Sequence, residues 1–153
     1  MLVGEAIEQV DALEPNQYSK EEKSRWLYQL DGRIAAEIVL KYEHDSYMNA
    51  ENENIFDLIN PYQSGKYPIE LFFYLNYAKS LFEKKSGFDS FPLAAIAPFD
   101  RMYVLWLKAQ IQFANAEYGR YNNTISVFES EFAAYRNWYN RSHTPLNTSM
   151  TYF

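Results

Sequence analysis

The sequence predicts an all-α fold, a bundle of four to five helices with a long irregular insertion, and three observations predict it. Tyr118, Tyr121, Ile125, Phe128, Phe132, Tyr135 and Tyr139 follow one another at alternating steps of three and four, the seam of a helix. Leu27, Leu30, Ile34 and Ile38 repeat that spacing nearer the start, behind a Ser19-Lys20-Glu21-Glu22 capping box. Hydrophobic residues make up 48% and aromatics 18% of 153 residues, enough for one domain with a sizeable core.

The elements follow in order. Residues 2–13 read as a short amphipathic helix, with Val3, Ile7, Val10 and Leu13 on one face and Glu5, Glu8 and Asp11 on the other; Pro15 ends it. The capping box opens a helix over 19–43 that adds Trp26, Val39 and Tyr42 to its stripe. Gly32 in its interior costs about 1 kcal/mol relative to Ala and suggests a close neighbour, or is merely tolerated. From His44 to Lys66 the periodicity stops among Asn, Pro, Ser and Gly. A further helix is expected over 68–86, apolar almost all round, although Leu71–Leu75 also fits a strand. Gly87 to Ala97 reads as a connector. The helix over 98–116 is apolar on two faces, Phe99, Tyr103, Trp106 and Phe113 on one, Val104, Leu107, Ile111 and Ala114 on the other, and belongs at the centre. Gly119 marks the junction to the aromatic helix over 118–142, and Pro145 stops everything helical. Thr144–Phe153 is an extended tail, polar apart from Leu146, Met150, Tyr152 and Phe153.

Composition excludes several functions. With no cysteine there is no disulfide framework and no thiolate metal site, as suits a reducing compartment. Met1–Glu5 lacks the basic start of a signal peptide, and no stretch reaches the roughly 20 apolar residues of a membrane span. Net charge is −6, unevenly placed: residues 1–60 carry −8 and residues 61–153 carry +2. An acidic chain is a poor phosphate gripper, so sequence-specific nucleic-acid binding is not expected. The asymmetry suits head-to-tail stacking of copies, and equally suits solvated helix faces.

No catalytic constellation competes with this helical pattern. Glu43-His44-Asp45 holds metal-capable groups, but adjacent helical residues do not face one site. Asn49 to Asp57 alternates oxygens like a calcium loop yet lacks the turn glycine and the closing Glu. With no phosphate loop, nucleophile elbow or thiol nucleophile, neither an enzyme nor a cofactor is expected. The aromatic ladder has three uses open to it: core packing, a subunit interface, or base stacking; a basic groove for the last is missing.

One resemblance emerges from the residues. Ala97-Pro98-Phe99-Asp100 with Tyr103, the string Gln110 to Thr124, Phe128, and Trp138 to His143 resemble a family of small proteins from the head-morphogenesis region of tailed phages and prophages. Ala6, Val10, Asp11, Pro15, Asn16 and Trp26-Leu27 add to it, so the resemblance covers about 1–43 and 97–143. Members are similar to head–tail connector (adaptor, or head-completion) proteins. It implies a single helical connector domain, 1–143, interrupted by residues 45–96, where the family carries a shorter connector, and followed by the tail. Ala116 stands where the family has glycine, which suggests a less tight turn.

The resemblance further implies a non-enzymatic virion protein of the phage neck, made in the host bacterial cytoplasm. Such subunits form a ring, commonly of twelve, beneath the portal protein. The ring extends the DNA channel and receives the next neck or tail-completion protein. The resemblance offers Leu146, Met150, Tyr152 and Phe153 for docking on the portal. It does not reach the 68–86 helix, whose apolar width by itself offers Phe72, Phe73, Leu81 and Phe82 for contact between subunits. The alternative, from the helices alone, is a cytoplasmic helical protein–protein interaction domain.

Overall fold

Among the described residues, five α-helices pack around one aromatic core. A computed structural model describes residues 1–42, 47–49, 66–84 and 86–145. The helices are α1, Val3–Leu13; α2, Lys20–Glu37; α3, Phe72–Glu83; α4, Arg101–Ala114; and α5, Tyr118–Ser142. Side-chain pairings fix their directions. Trp106 meets Trp26, and Tyr18 meets Asn115, so α4 runs against α2. Phe113 meets Tyr121, Trp106 meets Phe128 and Phe99 meets Tyr135, so α5 runs against α4. Met1 beside Asp100 and Glu14 beside Arg120 set α1 along α4 in the same direction. Tyr77 beside Tyr28, with Tyr74 beside Gly32, sets α3 against α2, so α1, α3 and α4 run one way and α2 and α5 the other. Helix α4 packs on α1, α2 and α5 and holds the centre, as its two apolar faces predict.

Each helix forms for a local reason. Ser19 caps α2 by accepting a hydrogen bond from the Glu22 amide at 3.1 Å. The α2 stripe Leu27, Leu30, Ile34 and Ile38 is fully buried. The helix itself stops at Glu37, and a 3-10 turn, Val39–Lys41, takes the chain onward, short of the predicted end near 43. Helix α4 begins at Arg101 rather than 98, because Ile96–Asp100 is wound into turns whose carbonyls accept from the Phe99, Met102 and Tyr103 amides. In α1 the face Val3, Ala6, Ile7 and Val10 is buried, but Leu13 is 65% exposed where the helix outruns its support.

The aromatic ladder is core along one half only. Phe128, Phe132, Tyr135 and Tyr139 are buried, Tyr121 and Ile125 half-buried, and Tyr118 is 55% exposed. The neighbours of α5 explain this: from Phe128 onward it packs on Trp106 and Phe99 of the α4 segment and under Arg33 of α2, whereas Tyr118 and Tyr121 lean on Phe113 near the end of α4.

The region expected to be irregular contains ordered elements. A two-stranded antiparallel ribbon pairs β1, Tyr47–Asn49, with β2, Lys66–Pro68, placing Met48 opposite Tyr67. A 3-10 turn, Ile69–Leu71, leads into α3. Between two readings open in sequence, strand and helix, Leu71–Leu75 is helical after its first residue. Helix α3 lies along α2, its Tyr74 and Tyr77 rings stacked on Tyr28 at 4.9 and 4.8 Å. The close neighbour of Gly32 is here: a Cβ at that position would come within 2.8 Å of the Tyr74 ring.

The connector 87–97 is likewise part of the fold. Its carbonyls at Asp89 and Phe91 accept from the Gly4 and Val3 amides, and the Leu93 amide donates to Met1. Leu93, Ala94 and Ala95 are buried beside α2 and α4. We refer to Phe88–Ala95 as the strap.

Candidate functional site

Two features concentrate chemistry that the apolar core does not need, and both are built by residues far apart in sequence. The first is a polar clasp at the end of the bundle where α1 stops and α4 turns into α5. Asn16 receives the Tyr18 amide on its side-chain oxygen and donates to Asp11 and to the Glu14 carbonyl, which fixes the Pro15 turn. Lys23, only 4% exposed, donates to Asp11 at 2.7 Å and to Asn16 at 3.2 Å. A buried ammonium is tolerable only with such partners. Across the gap, Tyr18 donates to Asn115 at 2.6 Å, and Arg120 joins the buried Glu14 at 2.8 Å. The residues that carry the resemblance, Asp11, Pro15, Asn16, Asn115 and Arg120, are therefore neighbours in space.

The turn itself is tight. Ala116 takes a left-handed conformation, φ 59°, and the Glu117 amide reaches back to the Gln112 carbonyl at 2.8 Å. This is the helix-ending motif that favours glycine. The expectation that alanine loosens the turn is overturned: the geometry is kept, and alanine bears the strain. Beside the clasp, Phe113, 53% exposed, packs edge-on against Tyr118 and Tyr121 at 5.5 and 5.2 Å. Leu13, Phe113 and Tyr118 thus put exposed apolar surface at this end of the bundle.

The second feature is a buried carboxylate. Asp31 of α2 is fully enclosed and accepts from the Tyr103 hydroxyl at 2.7 Å and, more weakly, from the Ala94 amide at 3.3 Å. The Tyr103 oxygen accepts in turn from the Ala95 amide at 2.8 Å. Burial pushes the Asp31 carboxyl up to about 7, against the lowering pull of its two hydrogen bonds. The Tyr103 hydroxyl is raised well above its usual range by burial and by the Asp31 charge. Farther along the core, burial and the Glu70 carboxylate raise Tyr135 and Tyr139; the Tyr139 hydroxyl donates to Glu70.

The candidate contact residues from sequence separate. Phe73 is not available to another subunit: it points inward from α3, is fully buried, and meets the Tyr77 and Phe88 rings. Phe72 is half-buried against Phe91. Leu81 is 61% exposed, on the rim of a groove of about 700 Å³ between α2, the end of α3 and the strap. The Phe82 side chain and the docking set Leu146, Met150, Tyr152 and Phe153 lie outside the described residues, as do Glu43-His44-Asp45 and most of the Asn49–Asp57 run. The tail is tied down at its start, where Pro145 bridges to Tyr42.

Among the described residues no three metal-capable side chains converge, and no helix is long and apolar enough to cross a membrane. The clasp and the Asp31 network escaped the sequence reading. Their signal was polar residues on an apolar stripe, since Lys23, Leu27, Asp31, Ile34 and Ile38 step by four, four, three and four. Comparison of the chain with family models, with curated proteins and with solved structures gives no match, so its functional assignment rests on these residues.

Proposed function

We propose that the chain is a head–tail connector subunit of a tailed phage, a non-enzymatic structural protein of the virion neck. It assembles as a ring, of twelve copies, beneath the portal, extends the DNA channel without sequence-specific contacts, and offers the next neck protein a platform. It is made in the host cytoplasm and ends in the virion. The observation that carries the reading is the clasp. Of the residues that resemble the connector family, Asp11, Pro15 and Asn16 from the first stretch and Asn115 and Arg120 from the second are joined, through Tyr18 and Glu14, in one hydrogen-bonded unit.

Two surface properties support self-association. Aromatic and aliphatic side chains stand exposed at the clasp end and on α3, at Phe113, Tyr118 and Leu81. The exposed face of α1 carries Glu5 and Glu8 and no cation, which suits a lumen along which DNA slides without sticking. The tail after Pro145, with Leu146, Met150, Tyr152 and Phe153, is the segment proposed to dock on the portal.

Size-exclusion chromatography with light scattering, run on the chain alone and with cognate portal, tests the proposal. Co-elution at ring mass with portal is expected. A strict monomer that ignores portal overturns it and leaves the interaction-domain alternative. Deleting 144–153 separates the docking assignment from the rest, because unchanged portal binding removes the tail from the interface.

A further inference from the structure

Among the described residues, Asp31 has no cation as a partner. The groups that hold it are the Tyr103 hydroxyl of α4 and the Ala94 amide of the strap, both neutral. Of the other elements around it, α5 contributes the Tyr135 phenol. The strap contributes apolar Leu93, Ala94 and Ala95; its one acid, Asp89, is exposed and paired with Lys20 at 2.8 Å. On α1, Glu5, Glu8 and Asp11 are all exposed. The strap therefore helps to enclose a carboxylate that no cation among the described residues pairs with, an arrangement that favours the protonated form.

The same strap holds the start of α1. Ala94 and Ala95 tie it to Asp31 and Tyr103, and three backbone hydrogen bonds, from Val3 to Phe91, Gly4 to Asp89 and Leu93 to Met1, join it to the N-terminal turn. The strap is also held by packing, with Leu93, Ala94 and Ala95 buried and the Phe88 and Phe91 rings against Phe73 and Phe72. The N-terminal turn is held by the Met1 ammonium on Asp100 at 3.5 Å. Opening of the strap is therefore a sub-global event, smaller than unfolding of the helical core beneath it. Opening exposes Asp31 to water, where an ordinary carboxyl is ionised at neutral pH.

We propose that the strap Phe88–Ala95 is a proton-linked latch, closed over protonated Asp31 and released, together with the first turn of α1, when Asp31 ionises. The sign follows from linkage. The closed form binds its proton more tightly than the open form, so closure is strongest at low pH and weakens as pH rises toward the closed-state value. In an assembling subunit such a latch controls the order of the acidic α1 edge.

Amide hydrogen exchange on the full chain tests the latch, at pH 5 and pH 8, with and without sub-denaturing urea, and corrected for intrinsic rates. Protection at Ala94, Ala95, Val3 and Gly4 is expected to fall at least tenfold from pH 5 to pH 8, with a urea dependence clearly smaller than that of global opening. The Leu107 and Phe128 amides, which need global opening, keep higher protection and a strong urea dependence. Asp31→Asn is expected to flatten the pH dependence at all four strap-linked amides, whereas Asp89→Asn is expected to leave it. Equal protection at the two pH values overturns the latch, as does a urea dependence at Ala94 matching that at Leu107. Should Asp31→Asn fail to fold, the wild-type pH and urea comparison decides alone.

Discussion

Replacing Ala116 with glycine should stabilise this protein, an uncommon expectation for a helix-terminal alanine. The backbone there has φ 59°, and the motif is closed by the Glu117 amide on the Gln112 carbonyl. An L-residue in the left-handed region costs roughly 1–2 kcal/mol, which glycine avoids. Glycine gives back about 0.4–1 kcal/mol through the greater freedom of its unfolded chain. The Ala116 side chain is exposed, so little packing is lost. The net gain is therefore about 0.5–1 kcal/mol. In a domain of this size that raises Tm by roughly 1–4 °C. Urea unfolding at fixed pH measures it directly, as a higher midpoint with an unchanged slope. The matched control is Gly119→Ala, the second residue of α5, where no left-handed angle exists and a Cβ meets nothing within 4 Å. That change should also stabilise, by about 0.5–1 kcal/mol of helix propensity. If Ala116→Gly lowers the midpoint while Gly119→Ala raises it, the strain argument is wrong.

Other substitutions probe separate parts of the account. Gly32→Ala should destabilise by about 1–3 kcal/mol despite alanine's better propensity, because its Cβ lands 2.8 Å from a Tyr74 ring held in a stack; thermal unfolding reads the sign. Phe73→Ala should cost about 3–5 kcal/mol by calorimetry as a core truncation, whereas Leu81→Ser should leave Tm nearly unchanged and lower only self-association. Asn16→Ala should cost about 1–3 kcal/mol, since it strips the Lys23 ammonium and the Tyr18 amide of a partner; no change in urea midpoint contradicts the clasp. Because the Asp31 carboxyl is raised from 3.8 to about 7, its contribution to stability is full below pH 4 and lost as pH climbs to about 7. Urea midpoints compared between wild type and Asp31→Asn across pH 5 to 8 should show that slope in the wild type alone.

The helices were legible because their seams repeat over many turns, as in Leu27, Leu30, Ile34, Ile38 and in Phe128 to Tyr139. The strap was not, because Leu93-Ala94-Ala95 has no period: what buries it is hydrogen bonding to Asp31, Tyr103 and the start of α1, all distant in sequence. Asp31 stands on the α2 stripe, which marks it as inward, but its partners Tyr103 and Ala94 lie 72 and 63 residues away and no local pattern names them. Phe73 illustrates the opposite error. A helix apolar nearly all round gives no clue to which side is exposed, and α3 turns Phe73 inward while leaving Leu81 out. The clasp was half visible. Pro15-Asn16 read as a helix stop, but that its side chains reach the α4–α5 turn is a property of the packing alone.

The central claim is that this bundle is a ring-forming connector, and electron microscopy of the chain mixed with its cognate portal tests it most directly. The account predicts an added coaxial ring beneath the portal, lost when the contacting surfaces are disrupted. Bare portals, with the chain left in solution as a monomer, would contradict it.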